Sequence, residues 1–292
     1  MKKRRRWLWI WRIGRLALMA YLVVLLACSM FQESLIFPGH ASQGQPFANI
    51  RPVPDSELIY LTTSLGDRVA GLFGKPMDAD GNALPDSATR PTIIFFYGNA
   101  MTLSDCICFC RTWRKLGANV LGVEYPGYGL SSGRPSEAAF YAAADAAWDY
   151  LVNRPDIDKT KIVPAGLSLG SGVATDLASR KPAAALALFA PYTSMADMGK
   201  ALMPWIPASM ILRHHFKNDE KIKNLRIPIL IVHGDHDRMI SPGMSRQLAN
   251  AATHTKVKLV YVNSDHNDLF EAGRAPLDAA MAELIEQVNT GK

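Results

Sequence analysis

Read for hydrophobic and polar positions alone, the chain alternates short apolar runs with segments of helical period. Runs of strand length fall at 58–63, 69–74, 92–97, 119–124, 162–165, 184–189, 227–233 and 256–262. The run Thr92-Ile93-Ile94-Phe95-Phe96-Tyr97 is apolar on both faces, as expected for a parallel strand covered above and below. Helical spacing appears at 104–116, 136–152, 241–252 and 276–288. After Gly170 it also appears, with Val173, Ala174, Leu177 and Ala178 on one face. Alternating strands and helices with buried strands predict an open α/β sheet with helices on both faces.

Three stretches break this rhythm. Residues 32–56 carry Pro38, Gly39, Gly44, Pro46, Pro52 and Pro54 and read as a linker along the domain edge. Residues 78–91 are polar, with Gly and Pro, and read as a surface loop. Between 191 and 226 the sheet pattern lapses into a Pro-interrupted apolar segment containing Met195, Met198, Leu202, Met203, Trp205 and Ile206. That segment is expected to be a small apolar insert. The predicted organisation is a basic N-terminus (1–15), a membrane segment (16–31), the linker (32–56) and one catalytic domain (57–292). No internal repeat or low-complexity tract appears.

Charge changes the picture only at the N-terminus. The net charge is +6, but Lys2, Lys3, Arg4, Arg5, Arg6, Arg12 and Arg15 precede any acid, the first being Glu33. Taking those seven from +6 leaves −1 for the rest, which argues against a nucleic-acid-binding body. The basic cluster, Trp7, Trp9 and Trp11, and then the apolar run 16–31 read as a membrane segment with its N-terminus cytoplasmic. Sixteen residues cover about 24 Å as a helix, and extension through Ile13 and Ile10 with Arg12 and Arg15 snorkelling completes a span. Two alternatives compete with an uncleaved anchor: a cleaved signal, and a lipoprotein signal in which Leu25-Leu26-Ala27-Cys28 leads to acylation of Cys28. All three place the body outside the cytoplasm, in the periplasm if the chain is bacterial.

With 49% hydrophobic and 20% charged residues, the chain can bury a sizeable core. Cys106, Cys108 and Cys110 alternate on a predicted helix. This spacing fits neither a zinc site nor an easy disulfide framework, so they read as small buried apolar residues. Neither metal nor cofactor is expected.

The candidate chemistry centres on Gly166-Leu167-Ser168-Leu169-Gly170, which joins a strand to a helix. A G-x-S-x-G elbow needs that context, because its serine sits in a strained turn that glycines on either side make possible. A second match, Gly129-Leu130-Ser131-Ser132-Gly133, follows a Gly/Pro turn rather than a strand, so Ser131 reads as a loop serine. A reading of Ser168 without chemistry makes it the cap of the following helix. A serine nucleophile needs a base and a group to orient that base, in the order Ser, acid, His at successive strand ends. After the 227–233 strand come Asp235 and Asp237, either of which fits the acid. After the last strand comes His266, the one histidine between that strand and the closing helix. The oxyanion would be held by the backbone N–H of Leu169 and by one from the loop after the 92–97 strand, at Asn99 or Ala100.

These stretches together resemble the membrane-anchored α/β-hydrolase-domain serine hydrolases, a branch that includes depalmitoylases and lysophospholipases. The resemblance runs from about Phe31 to Leu269. Phe31-Gln32-Glu33-Ser34-Leu35-Ile36-Phe37-Pro38 is similar to the family's sequence after its anchor. The stretch from Glu124 to Gly133 is similar to its D-Y-R-G-Y-G-x-S-x-G loop. The elbow is similar to G-x-S-L-G, and Pro191-Tyr192-Thr193-Ser194 and Met203-Pro204-Trp205-Ile206-Pro207 fit its post-elbow segment. His233-Gly234-Asp235-His236-Asp237 fits H-G-x-x-D, which puts the acid at Asp237. His266-Asn267-Asp268-Leu269 fits G-H-N-D-L. Two residues depart from the pattern: Tyr97 stands where the family has His, and Asp265 stands where Gly precedes the catalytic His.

The resemblance implies an α/β-hydrolase fold and hydrolysis of carboxylic esters or thioesters, with Ser168 as nucleophile, His266 as base and Asp237 as orienting acid. The expected substrate is a small acyl ester, a lipid or an acylated molecule. The alternatives are a serine peptidase, a haloperoxidase-like enzyme, or a catalytically silent tethered binding protein.

Overall fold

The structure is a computed structural model that describes residues 2–50 and 55–291, the side chains of residues 2–5 excepted. Pro52 and Pro54 of the expected linker lie outside the described residues. In chain order, α1 (Lys2–Met30) and α2 (Gln32–Ile36) precede two 3-10 turns, Pro38–Ser42 and Pro46–Ala48. Then follow β1 (Ser56–Thr62), β2 (Arg68–Gly74), β3 (Thr92–Phe96), α3 (Ile107–Lys115), β4 (Asn119–Val123) and α4 (Glu137–Val152). Next are β5 (Ile162–Leu167), α5 (Leu169–Arg180), β6 (Leu186–Phe189), α6 (Met195–Leu202), α7 (Ala208–Ile211) and α8 (Asn218–Lys221). The chain closes with β7 (Ile229–Gly234), α9 (Pro242–Ala251), β8 (Val257–Val262) and α10 (Arg274–Thr290).

The strands form one eight-stranded sheet in the order β1-β2-β4-β3-β5-β6-β7-β8. β2 runs antiparallel to both β1 and β4, and every later pairing is parallel. Burial follows from that arrangement. β3, β4, β5 and β6 are buried at every position, whereas edge strands β1 and β8 are only partly covered. The predicted mostly parallel sheet with helices on both faces is the observed fold, and α6, α7 and α8 form the insert after β6.

Local chemistry sets the helix ends. Ser136 and Ser194 accept hydrogen bonds from the amides of Ala139 and Asp197, capping α4 and α6. The predicted 104–116 helix begins instead as a 3-10 turn, Leu103–Cys106, because Thr102 and Asp105 close a capping box around it. On this segment Cys106 and Cys110 are buried as expected, while Cys108 is exposed. Burial raises the thiol of Cys110 to about 12.

The N-terminal helix is longer than the apolar run. Arg6–Met30 is long and apolar enough to cross a membrane, and it packs against little of the body. The segment expected to be a linker is built into the domain. Phe37 is fully buried against Phe140, Phe216 and His214, and Ala48 is also fully buried.

One close approach positions the site. β3 pairs with β5 with Phe96 opposite Gly166, and α5 starts directly over this pair. A Cβ on Gly166 would lie 2.2 Å from the carbonyl oxygen of Gly170, and one on Gly170 would lie 2.0 Å from that of Phe96. Both obstacles are backbone, so neither can rotate away. Gly166→Ala and Gly170→Ala are each expected to destabilise the fold by about 2–3 kcal/mol. For the full chain in detergent, this would appear as a lowered thermal midpoint. An unchanged midpoint would mean that α5 can lift from the sheet without penalty.

Candidate active site

Ser168 stands between β5 and α5 at φ 50°, ψ −117°, a conformation that a side-chain-bearing residue rarely adopts. Its amide donates to the Phe189 carbonyl (2.8 Å), and its carbonyl accepts from the amide and hydroxyl of Ser171 (2.9 and 2.6 Å). These bonds hold the strained turn from both sides. The hydroxyl does not cap α5. It lies instead 3.1 Å from Nε2 of His266.

His266 is presented by the loop after β8, and its Nδ1 lies 2.7 Å from Oδ2 of Asp237 in the loop after β7. A carboxylate at that distance takes the Nδ1–H, which leaves Nε2 free to accept the serine proton. The Asp237 side chain has no exposed surface. Burial by itself would raise its pKa, but hydrogen bonds from His233, His266 and the Ile240 amide outweigh burial and hold the carboxyl far below the usual range. Its Oδ1 accepts from the amides of Met239 and Ile240, both at 2.8 Å. Asp235, the alternative acid, points to solvent and pairs with its neighbour His236 at 2.6 Å.

Sequence reasoning treated His233 only as part of a motif. It is fully buried, with Nε2 3.1 Å from Asp237 Oδ2 and 2.9 Å from the Ile240 carbonyl. Both neighbours accept, so Nε2 carries a proton. Nδ1 then accepts from the Ser245 hydroxyl at 2.6 Å in the neutral tautomer. His233 therefore fixes the far side of Asp237. The spacing from His233 to Asp237 was visible in the sequence, but the contact with Ser245 was not.

Asp265 does not face the imidazole. Its Oδ1 accepts from the amides of His266 (2.8 Å) and Arg238 (3.0 Å), and its Oδ2 accepts from Nε of Arg238 (2.7 Å). The carboxylate thus joins the β8 loop to the β7 loop. Ser131, in the second motif match, accepts from the Ala70 amide at 3.0 Å and braces its loop against β2.

The loop after β3 lies beside Ser168. The Asn99 side chain is fully engaged: Nδ2 donates to the Ile36 carbonyl (2.6 Å), and Oδ1 accepts from the Tyr128 hydroxyl and the Ala100 amide (both 3.0 Å). The Ala100 amide is therefore occupied, at a residue with φ +60°. The backbone N–H of Asn99 makes no backbone hydrogen bond among the described residues, and that of Leu169, at the first position of α5, has no intrahelical acceptor. Asn99, Ser168 and Leu169 line one cavity of about 250 Å³. Its upper wall comes from Met195, Met198, Leu202, Met203 and Ile206 of the insert. No charged side chain lines it among the described residues.

Tyr97 precedes this loop, and its hydroxyl donates to the buried carboxyl of Glu124, which also accepts from the Leu103 amide at 3.1 Å. Burial pushes Glu124 up to about 7, against the hydrogen bonds from Tyr97 and Leu103 that favour ionisation.

A serine on a strand–turn–helix elbow over a mostly parallel sheet, with histidine and aspartate at later strand ends, defines a hydrolase-type α/β architecture. A family model described as alpha/beta hydrolase fold matches residues 91–221. Over 96% of both chains, the sequence is 32% identical to the uncharacterized protein Rv2307c of Mycobacterium tuberculosis. It is 31% identical to the alpha/beta hydrolase domain-containing protein WAV2 of Arabidopsis thaliana, over 80% of this chain and 79% of that one. The chain belongs to the α/β-hydrolase family. Among solved structures, it resembles the Pyrococcus furiosus esterase Pf2001 (TM-score 0.65, 15% identity, 82% of this chain and 94% of that chain). An alpha-beta hydrolase from Vibrio vulnificus gives a TM-score of 0.66 at 20% identity, over 90% and 92% of the two chains.

The Glu124 environment has a testable consequence. Between about pH 4.5 and 7 the native state keeps a proton that the unfolded chain has released, so ionising this carboxyl makes stability fall as pH rises through that window. Glu124→Gln keeps an acceptor oxygen but cannot ionise. Urea unfolding at a series of pH values should show the wild type losing stability relative to the variant from pH 5 to 8. A pH-independent difference would refute this account.

Proposed function

We propose that this protein is a membrane-associated serine hydrolase of carboxylic esters or thioesters, with Ser168 as nucleophile, His266 as base and Asp237 as orienting acid. The observation that carries this reading is the hydrogen-bonded chain Asp237–His266–Ser168 at the floor of an apolar cavity. Ser168 attacks the acyl carbonyl while Nε2 of His266 takes its proton, and Asp237 stabilises the imidazolium that forms. The new oxyanion is received by the backbone N–H groups of Leu169 and Asn99, with the N-terminus of α5 adding favourable potential. His266 then passes its proton to the leaving oxygen or sulfur, leaving an acyl-enzyme. Water, activated by the same imidazole, releases the acid and restores Ser168.

An apolar cavity without charged lining favours a neutral acyl chain over a peptide, whose backbone would need polar partners there. The basic flank and the Arg6–Met30 helix support an anchor with a cytoplasmic N-terminus and the hydrolase on the other side. The Tyr21 hydroxyl donates to the Trp205 carbonyl of the insert at 2.8 Å, which favours a retained anchor over cleavage before Cys28.

The test is reaction of the purified full chain with a fluorophosphonate probe, together with turnover of p-nitrophenyl butyrate. Ser168→Ala should abolish labelling and lower kcat by about a thousandfold or more. Labelling that survives the substitution, or is absent from the wild type, would reject the assignment. In the latter case a silent binding protein becomes the better reading.

A further inference from the structure

The anchor does more than tether. Its exit forms a wall of the cavity over Ser168: Cys28, Gln32, Leu35 and Ile36 all line it. Gln32, only 3% exposed, donates to the carbonyls of Ser29 (3.0 Å) and Ile211 (3.3 Å), while its Oε1 accepts from the Arg213 amide (2.8 Å). Arg213 also donates to the Ser29 carbonyl and pairs with Glu33. The exit of the anchor is thus clamped to the insert, with the cavity between them.

The insert also lies alongside the helix. Tyr21, bonded to Trp205, is nine residues before Met30, about 13 Å along a helix axis and close to the depth of one hydrocarbon leaflet. With α1 in a bilayer, the insert at that level meets the outer leaflet. Its residues there are apolar and unburied: Leu202, Trp205 and Met210, the last 83% exposed. Leu35 of the anchor exit and Leu202 of the insert both line the cavity and are 59% and 63% exposed. The cavity, the anchor exit and the exposed apolar residues of the insert therefore adjoin, where water would be a poor neighbour and lipid a good one.

We infer that the cavity takes the fatty acyl chain of a lipid ester sideways from the outer leaflet, entering between the anchor exit and the insert. Past the polar clamp, the chain lies among the apolar side chains that line the cavity, and its carbonyl arrives over Ser168 beside the Asn99 loop. That loop is itself held to the anchor exit by the bond from Asn99 to the Ile36 carbonyl. This inference rests on the serine-hydrolase reading and adds its substrate class and route of entry.

The experiment uses the full chain reconstituted in phosphatidylcholine vesicles. The probes are 4-methylumbelliferyl oleate, dissolved in the bilayer, and the water-soluble butyrate ester. Leu35→Asp puts a charge at the proposed entry, and Met210→Glu puts one on the lipid-facing insert outside the cavity. Each should lower oleate turnover about tenfold more than butyrate turnover. Fluorophosphonate labelling of Ser168 reports separately whether the catalytic groups remain assembled, so failure of the hydrolase reading appears as no labelling in the wild type. With labelling intact, an oleate-to-butyrate ratio within twofold of wild type in both variants overturns lateral entry. Equal loss on both substrates overturns it as well.

Discussion

The arrangement depends on the distance between α5 and the strands beneath it. At Gly166 and Gly170 the helix start approaches the carbonyl ends of β5 and β3 so closely that no Cβ fits. Midway between the glycines, Ser168 takes a φ of 50°, and its hydroxyl does not cap the helix. The same contact decides which loop lies beside that hydroxyl. Because β3 is the partner of β5, the loop leaving β3 ends next to the elbow, and Asn99 and Leu169 line the same cavity as Ser168. Helix–sheet distance, strand order and loop placement are therefore one constraint.

A second dependence concerns charge. A buried carboxylate is tolerated only where donors surround it, and Asp237 has four: two amides and two imidazoles. Its preference for the ionised state fixes the His266 proton on Nδ1, and so sets which nitrogen faces Ser168. His233 contributes to that preference through its Nε2–H, while its other nitrogen is bonded to Ser245. Removing either histidine's bond would leave a buried oxygen lone pair unsatisfied, so the acid and its two imidazoles behave as a unit.

Much of this was legible in the chain because it is encoded locally. Strand runs, the glycines flanking Ser168 and the position of His266 after the last strand are patterns within a few residues. Asp237 and Asp235 are equally placed by strand order, and in the sequence only the likeness to H-G-x-x-D favours Asp237; in the fold, Asp237 is held by the turn amides of Met239 and Ile240. Gln32 illustrates what no local pattern can carry. Its partners Ile211 and Arg213 are about 180 residues away, and nothing around Gln32 distinguishes it from an ordinary linker residue. Glu124 and Tyr97 are similar, since a carboxyl and a phenol become a buried pair only when β3 and β4 lie side by side.

The segment from Gln32 to Phe37 links the two ends of the molecule. Within six residues it fastens the insert through Gln32, the Asn99 loop through the Ile36 carbonyl and the core through Phe37. Removal of α1 before Cys28 would leave these three contacts but delete Tyr21, whose hydroxyl bonds the helix farther up to the insert. The insert would then lose its bond to the helix, and its Trp205 and Met210 are exposed even with the helix in place. That exposure supports the proposed membrane association. Cys28, Gln32, Leu35 and Ile36 line the same cavity as Ser168, so the end of the N-terminal helix and the segment after it belong to the cavity wall.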